Sequence, residues 1–326
     1  MRIKALALIS GGLDSLLAAR LIKNQGVEVV GIHFKIPFCK RDGRSGCSDI
    51  GIEVLQIDLE NDFLPLLKNP RYGFGSRLNP CIDCKILMFS RAKHLLSELS
   101  ADFIVTGEVL GQRPMSQNRQ SLELIRQRSG LDDLLLRPLS AQFFSPSLAE
   151  KMGWVSRDKL LGFNGRIRTP QIRMADKLGI SKYETPAGGC LLTDPCFSRR
   201  LAELLKYDEL NLHDIELLKI GRHFRLDKKA RLVVGRNESE NNLLMQMAAP
   251  GDYLFFPNEE TAGPTSLSRG VMDGSLIRLS SQITASYSDT AGLERLEISY
   301  RNIPDSMVWA HKVDCLPKSG FTHLLI

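Results

Sequence analysis

The chain has 326 residues, of which 43% are hydrophobic and 25% charged, and its formal net charge is +6. This is ample for a packed core and exceeds what one small domain needs, so we expect two domains. Residues 1–4 lead into a strand-like run, and no window of about 18 uninterrupted apolar residues appears. We therefore expect a cytoplasmic protein and neither a secreted nor a membrane-spanning one.

The first predicted elements are a strand and a helix joined by a glycine turn. Residues 5–9 form an apolar run of strand length, and the leucines after the turn follow helical spacing. Gly11 and Gly12 permit a close backbone approach, and the first turn of the helix presents unpaired N–H groups to an anion. Ser10 and Ser15 add hydroxyl donors. The turn therefore predicts a phosphate site.

The turn SGGLDS, residues 10–15, resembles the SGGxDS loop of the ATP pyrophosphatases, the PP-loop superfamily, which cleave ATP between its α and β phosphates. The resemblance implies that Ser10, Gly11, Gly12, Asp14 and Ser15 hold the released pyrophosphate and that Asp14 lies near Mg²⁺. It is not a Walker A loop, because no Gly-Lys-Ser/Thr follows. The alternative is an ordinary strand-to-helix turn.

Two further apolar runs predict parallel strands. They are VEVVGIHFK at 27–35 and FIVTGEVLG at 103–111. In an open parallel sheet the ligand lies beyond the carboxyl ends of the strands, so we expect His33 and Phe34 near the adenine or ribose and Thr106 and Gly107 in the nucleotide site. An ordinary strand-end role for His33 is an equally good interpretation. The pattern predicts a doubly wound α/β domain, and the resemblance to the PP-loop superfamily implies that it is HUP-like.

Seven cysteines in a chain without an export signal favour metal binding or thiol chemistry over disulfides. Cys81 and Cys84 precede a predicted helix, whose positive end stabilises thiolates. Cys190 is the expected third member of this group. We interpret the neighbouring Asp83 and Lys85 as helix-surface charges. The remaining cysteines are interpreted as packing or incidental thiols: Cys39, Cys47, Cys196 and Cys315.

Two chemistries fit three converging cysteines. Cys81, Cys84 and Cys190 can bind a [4Fe-4S] cluster and leave one iron open to sulfide, which is the interpretation we favour. Alternatively, one cysteine carries a persulfide and a second resolves it as a disulfide.

Three more stretches resemble tRNA thiolation enzymes. TGEVLGQRPMSQ at 106–117 and LLLRPLS at 134–140 are similar to segments of the tRNA 4-thiouridine synthetases, and NPCIDCK is similar to cysteine motifs of tRNA 2-thiouridylases and cluster-dependent thiolation enzymes. By order along the chain, Cys190 falls where the 4-thiouridine synthetases keep their persulfide-bearing cysteine. The resemblance implies catalytic roles for Asp14, Cys81, Cys84 and Cys190.

The last part of the chain differs in its pattern of predicted elements, which are mostly short strands. HFRLD, ARLVVG, DYLFF, GSLIRLS and RLEISY read as short strands, and NESENNLLMQMA reads as a helix. We therefore expect two domains, a PP-loop domain at 1–205 and a smaller α+β domain at 206–326.

Positive charge concentrates in residues 219–236, which hold seven Lys/Arg and one Asp. This stretch is similar to the RNA-binding segment of the NFACT proteins. The resemblance implies that Phe224 is a stacking group and that six residues contact phosphates: Arg222, His223, Arg225, Lys228, Lys229 and Arg236. A solvated basic hairpin is the alternative. Arg166, Arg168 and Arg173 form a second basic cluster that we expect to line the path to the active site.

Together these features predict an ATP-dependent tRNA sulfurtransferase that adenylates a uridine carbonyl and replaces its oxygen with sulfur. Its expected cofactors are ATP, Mg²⁺ and a [4Fe-4S] cluster. Its expected partners are tRNA and a sulfur donor, either free sulfide or a cysteine desulfurase, and a homodimer is allowed. The alternatives are a PP-loop adenylating enzyme with a small-molecule acceptor and a non-catalytic nucleotide- and RNA-binding protein.

Overall fold

The computed structural model describes residues 3–39, 43–184, 189–207, 209–290 and 292–326. The chain divides into two compact units, Met1–Asp194 and Pro195–Ile326. The division precedes the expected boundary at 205, so the helix at Pro195–Tyr207 belongs to the second unit. None of the helices in the described ranges combines the length and apolar character that a transmembrane span requires.

The first unit alternates strands and helices along a parallel sheet. Its strands are β1 (Lys4–Leu8), β2 (Glu28–Lys35), β3 (Val54–Asp58), β4 (Phe103–Thr106) and β5 (Leu135–Leu136). Its helices are α1 (Leu13–Lys23), α2 (Cys47–Ile50), α3 (Glu60–Lys68), α4 (Cys81–Glu98), α5 (Arg119–Arg128), α6 (Leu148–Lys151) and α7 (Thr169–Lys177). The three predicted strands are confirmed as β1, β2 and β4. The helix predicted after the glycine turn is confirmed as α1.

The order of the strands in the sheet reverses its direction at β1. The order is β3-β2-β1-β4-β5, and Leu8 at the end of β1 lies opposite Ile32 of β2 on one side and Thr106 of β4 on the other. The chain runs outward from β1 through β3 and then returns to the other side of β1 with β4. In such sheets the carboxyl ends of the two central strands form the ligand crevice.

Apolar side chains cover both faces of this sheet. On one face the core holds Leu16 and Leu17 of α1 with Ala5 and Ala7 of β1. On the other face Leu6 packs with side chains of α4. Alternate residues of β1 therefore point to opposite cores, as a strand buried on both sides requires. The doubly wound α/β prediction is confirmed.

The second unit is built on a six-stranded antiparallel sheet in the order β11-β10-β8-β9-β7-β6. Its strands are β6 (Arg222–Asp227), β7 (Ala230–Val234), β8 (Tyr253–Pro257), β9 (Ser266–Gly270), β10 (Arg295–Asn302) and β11 (Trp309–Asp314). Its helices are α8 (Pro195–Tyr207), α9 (Leu212–Leu218), α10 (Glu238–Gln246) and α11 (Gly274–Ser286). The α+β prediction and the helix predicted from NESENNLLMQMA are confirmed.

GSLIRLS is not a strand as predicted but the start of α11. Asp273 caps this helix, because its Oδ1 accepts a hydrogen bond of 2.8 Å from the Leu276 N–H. The Ser280 and Thr284 hydroxyls each donate to the backbone carbonyl four residues earlier, so these buried polar groups are satisfied within the helix. The tertiary core then selects the helix over the local strand propensity.

Candidate active site

The glycine turn after β1 has the geometry that an anion site needs. Gly11 adopts a φ of +71°, and its carbonyl accepts a hydrogen bond of 2.9 Å from the Glu184 N–H. The Ser10 and Ser15 hydroxyls lie 3.3 Å apart, and Ser15 Oγ donates to the Gly12 carbonyl at 2.8 Å. Among the described side chains none caps the start of α1 at Gly12. The first N–H groups of α1 therefore remain available to a phosphate.

The turn after β4 packs directly against the start of α1. A Cβ atom at Gly107 would lie 2.5 Å from the Asp14 carbonyl and from the Ser15 nitrogen, so only glycine fits there. Thr106 is buried, and its hydroxyl donates to Glu108 Oε2 at 3.4 Å. The two carboxyl ends of the central strands thus meet, with Gly107 beside the glycine turn.

Asp14 lies at this meeting point in a polar group of three side chains. Its Oδ2 accepts from Gln112 Nε2 at 3.0 Å and pairs with Arg168 Nη2 at 3.4 Å. Burial raises the pKa of the Asp14 carboxyl, although Arg168, Gln112 and Arg113 act in the opposite direction.

Three buried atoms of this group have no hydrogen-bond partner within the described part of the chain: Asp14 Oδ1, Gln112 Oε1 and Arg168 Nε. Buried polar atoms in proteins are normally satisfied, so this cluster indicates a polar ligand. Carboxylate and amide oxygens suit Mg²⁺, and a guanidinium suits a phosphate. The arrangement fits Mg²⁺ together with the phosphates of a nucleotide.

Arg168 therefore contacts the Asp14 carboxylate itself, while Arg166 and Arg173 of the same predicted basic cluster are exposed. Sequence reasoning missed Gln112 as a site residue. Its signal was its position in TGEVLGQ, shortly after the end of β4.

The side chains of His33 and Phe34 are not exposed at the nucleotide site, contrary to the prediction. The His33 ring is 3% exposed, and its Nδ1 lies 3.0 Å from the Ile9 carbonyl oxygen. A Cβ at Gly43 would overlap this ring, so the Gly43 backbone covers it. Phe34 packs into the core on the α4 side of the sheet. The expected contact with adenine or ribose is contradicted, because both rings are enclosed by the protein.

Four cysteines come together beyond the ends of the strands. Cys81 is the first residue of α4, its sulfur accepts a hydrogen bond of 3.2 Å from Asn79 Nδ2, and Cys84 lies one turn later. Cys190 pairs with Cys39 in an antiparallel β-bridge. We call Cys39, Cys81, Cys84 and Cys190 the thiol group.

The electrostatics show that these four sulfurs are neighbours. Burial raises the pKa of the Cys84 thiol, and charge on Cys190, Cys81 and Cys39 raises it further. Burial also raises the pKa of Cys190 to about 11. Cys81, Cys84 and Cys190 thus lie within electrostatic range of one another, as expected, and Cys39 lies beside Cys190. No pattern in the sequence distinguished Cys39, since its partner is far along the chain.

Metal binding by the thiol group has no support from the structure. Within the described ranges, no three His, Cys, Asp or Glu side chains are placed to bind one metal ion. In a [4Fe-4S] cluster each cysteine binds a different iron, so the cluster and the persulfide both stay predictions for these cysteines.

Arg113 connects the thiol group to the nucleotide site. Its guanidinium lowers the pKa of the Asp14 carboxyl and also that of the Cys190 thiol, each against the larger effect of burial. Because Coulomb interactions of this kind weaken with distance, one cation lies near both groups. Arg113 is therefore within electrostatic range of both the nucleotide site and the thiol group.

Asp83 and Lys85 are not free surface charges, which corrects the prediction. Asp83 is 7% exposed and accepts the Arg71 and Tyr72 backbone N–H groups, each at 3.1 Å. Lys85 pairs with Glu108 at 2.6 Å.

Glu108 pairs in turn with Arg137 at 2.8 Å. Burial of Glu108 would raise its pKa, but Lys85 and Arg137 outweigh this effect and hold the pKa below its usual value. These charges fix the cysteine helix to the turn after β4.

In the second unit, the predicted RNA-contacting arginines are engaged within the protein. Arg222 donates to the Gly235 carbonyl at 3.2 Å, Arg225 pairs with Glu203 at 3.3 Å, and Arg236 pairs with Glu240. By contrast, Lys228 and Lys229 are exposed where β6 turns into β7.

His223 and Phe224 cannot contact RNA as expected. Phe224 is 1% exposed and packs in the apolar core under α11. His223 is 2% exposed, its Nε2 lies 2.8 Å from the Ile220 carbonyl oxygen, and burial lowers its pKa to about 3. As adjacent residues of β6, the two side chains point to opposite faces of the sheet, and both faces are buried at this position.

Two family models match separate parts of the chain. Residues 3–129 match the tRNA methyl transferase HUP domain, and residues 221–322 match the NFACT protein RNA binding domain. The first unit is therefore a HUP domain of the PP-loop type, and a separate antiparallel-sheet unit of the NFACT RNA-binding type follows it.

The chain is also similar to individual proteins. The tRNA-specific 2-thiouridylase MnmA of Pelobacter propionicus is 35% identical over 30% of this chain and 31% of its own length. MnmA of Francisella tularensis subsp. novicida is 24% identical over 86% of this chain and 85% of its own length. The match to the Pelobacter propionicus protein thus covers about a third of the length of that protein. The crystal structure of a 4-thiouridine synthetase–RNA complex with bound ATP superposes with a TM-score of 0.40 at 19% identity, covering 66% of this chain and 52% of that chain.

Proposed function

We propose that this protein is an ATP-dependent tRNA sulfurtransferase that forms AMP and pyrophosphate while it converts a uridine carbonyl to a thiocarbonyl. The observation that carries the proposal is the polar group of Asp14, Gln112 and Arg168 beside the glycine turn, whose buried atoms lack partners in the described part of the chain. Arg113 lies within electrostatic range of both Asp14 and Cys190. The tRNA thiolation activity printed in the names of its relatives supports the same reaction. A cytoplasmic location and a donor of sulfur, either sulfide or a cysteine desulfurase, belong to the proposal.

The first step is the activation of the uridine. The carbonyl oxygen attacks the α-phosphorus of ATP, and pyrophosphate leaves. The N–H groups at the start of α1, with the Ser10 and Ser15 hydroxyls, hold the leaving pyrophosphate where its charge develops. Asp14 and Gln112 would hold Mg²⁺, which when bound neutralises phosphate charge. Arg168 adds a fixed cation at the same carboxylate.

The second step replaces oxygen with sulfur. Cys190 carries the sulfur as a persulfide, which forms when a cysteine desulfurase transfers its own persulfide sulfur or when sulfide attacks a Cys190 disulfide and displaces the partner thiolate. The terminal sulfur attacks the activated carbon, and AMP leaves with the original oxygen. A second thiolate of the thiol group then attacks Cys190 Sγ and breaks the S–S bond. The thiocarbonyl nucleoside leaves and the two cysteines end as a disulfide.

The environments of the cysteines restrict these roles. Burial and the neighbouring sulfurs raise the pKa of Cys84, which keeps it a protonated, weak nucleophile. Cys81 is the first residue of α4, and its sulfur accepts a hydrogen bond from Asn79 Nδ2.

The test is an anaerobic reaction of the whole protein with ATP, unmodified tRNA and a cysteine desulfurase with cysteine, which supplies sulfur at the persulfide level. We expect thiolated nucleoside by mass spectrometry and AMP by chromatography. Asp14→Asn should lose both products and Cys190→Ser should lose the thiolated nucleoside, whereas Cys196→Ser, on an exposed cysteine of α8, should retain both. AMP formation that does not depend on tRNA, without thiolated nucleoside, would instead favour a small-molecule acceptor. Iron and sulfide bound in stoichiometric amount would restore the cluster as the sulfur carrier.

A further inference from the structure

Cys39 and Cys190 have a backbone relation that no other pair in the thiol group shares. They form an antiparallel bridge, in which the Leu191 N–H donates to the Phe38 carbonyl at 2.9 Å. A bond between the residue before one cysteine and the residue after the other defines a non-hydrogen-bonded pair. In such pairs the Cα atoms lie about 4.5 Å apart and the side chains are at their closest.

That separation falls within the range of about 4.4–6.8 Å between Cα atoms that a disulfide requires. The bridge therefore sets Cys39 and Cys190 for a direct bond without movement of the backbone. Cys81 and Cys84 lie together in the first turn of α4 and have no such bridge to Cys190 among the described residues.

We propose that Cys39 is the resolving thiol, the group that attacks Cys190 and forms a disulfide with it when sulfur leaves. This role rests on the proposed function. The Cys39 thiolate attacks Cys190 Sγ, the bond from that Sγ to the sulfur now attached to the nucleoside breaks, and the nucleoside leaves as the thiocarbonyl. The two cysteines lose two electrons in total, which reduce the transferred sulfur. An external dithiol then reduces the Cys39–Cys190 disulfide.

The first experiment maps the disulfide in full-length Cys196→Ser protein. This background leaves Cys190 as the only cysteine in its tryptic peptide, residues 183–199. The folded protein is oxidised with diamide, alkylated, digested without reductant and analysed by mass spectrometry. We expect the peptide with Cys190 to be linked to residues 36–40, which hold Cys39. A link to residues 78–85, which hold Cys81 and Cys84, or an alkylated Cys190, would overturn the proposal.

The second experiment measures one turnover with persulfide-loaded protein, ATP and tRNA in the absence of added thiol. Cys39→Ser should reduce the thiolated nucleoside by at least about 10-fold while it keeps the persulfide load and AMP formation, because the thiolate that releases the product is absent. Equal yields from Cys39→Ser and the parent protein would contradict the role of Cys39. Absence of thiolated nucleoside in the parent protein would contradict the proposed function instead, and the disulfide map would still report the pairing.

Discussion

At the scale of single residues, the nucleotide site centres on the Asp14 carboxylate. One of its oxygens is held by Gln112 and Arg168, while the other is buried without a partner in the described part of the chain. Burial of a carboxylate oxygen without a partner costs free energy. A bound cation, which in turn holds a phosphate, would satisfy this oxygen. The motif SGGLDS predicted Asp14. Its partners could not be predicted, because 98 positions separate it from Gln112 and 154 from Arg168.

Asp14→Asn should leave the fold intact and reduce AMP formation by about 10²–10³-fold, the usual effect of removing one group that stabilises transition-state charge. The rate of pyrophosphate release at saturating ATP measures this effect. Asp62→Asn, which alters an exposed carboxylate of α3, is the matched control and should keep the parental rate. Equal rates for the two variants would remove Asp14 from the reaction.

His223 makes a separate prediction about stability and pH. Its pKa is about 3 in the folded protein against an ordinary value of 6.5, because burial disfavours the charged ring. Above pH 6.5 the His223 ring is neutral in both the folded and the unfolded protein. Below it only the unfolded chain binds the proton, so the free energy of unfolding falls by up to about 1.4 kcal/mol per pH unit as the pH is lowered.

Urea unfolding between pH 7 and pH 4 checks this, with His223→Gln as the variant. The variant should lose less stability on acidification than the parent protein. His323→Gln, on an exposed histidine, should follow the parent curve. Parallel curves for His223→Gln and the parent would show that His223 is not buried as a neutral ring.

At the scale of elements, ion pairs join the cysteine helix to the strands. Lys85 of α4 and Arg137 after β5 both contact Glu108, whose side chain is 6% exposed. TGE and RPL were recognisable as motifs. The contact between Glu108 of TGE and Arg137 of RPL could not be predicted, because neither stretch contains a signal for the other. GSLIRLS shows the converse limit, since its short apolar run is compatible with strand or helix until the Asp273 cap and the core decide.

Glu108→Gln should destabilise the first unit by about 3–5 kcal/mol, because it leaves two buried cations without their carboxylate. Chemical denaturation followed by tryptophan fluorescence of Trp154 in that unit measures the change. Glu98→Gln breaks the exposed pair with Arg91 and should cost less than about 1 kcal/mol. Similar losses in the two variants would mean that the Glu108 pairs are solvated.

At the scale of the whole molecule, the two-domain organisation and both fold types followed from the sequence. Continuous apolar strands beside a glycine turn differ clearly from short alternating strands, and the structure has a unit of each type. The basic stretch 219–236 was less informative, because charge alone does not reveal that Arg225 and Arg236 pair with Glu203 and Glu240. Lys228 and Lys229 are its exposed cations at the turn between β6 and β7.

Replacement of Lys228 and Lys229 by glutamine should weaken tRNA binding and lower the slope of log affinity against log salt by about 2, one for each lost phosphate contact. Filter binding at several salt concentrations measures both quantities. Lys312→Gln, on an exposed lysine of the edge strand β11 at the far side of the sheet from β6, should not change either one. An unchanged slope in the double variant would place the RNA surface elsewhere.

The most direct test of the account joins its two chemistries in one turnover. Protein carrying a ³⁴S-labelled persulfide on Cys190 is mixed with tRNA and with ATP labelled in its α-phosphate, and the products are quantified. One AMP for each ³⁴S-thiolated nucleoside is the predicted result. Release of ADP in place of AMP, or thiolated nucleoside that lacks ³⁴S, would contradict it.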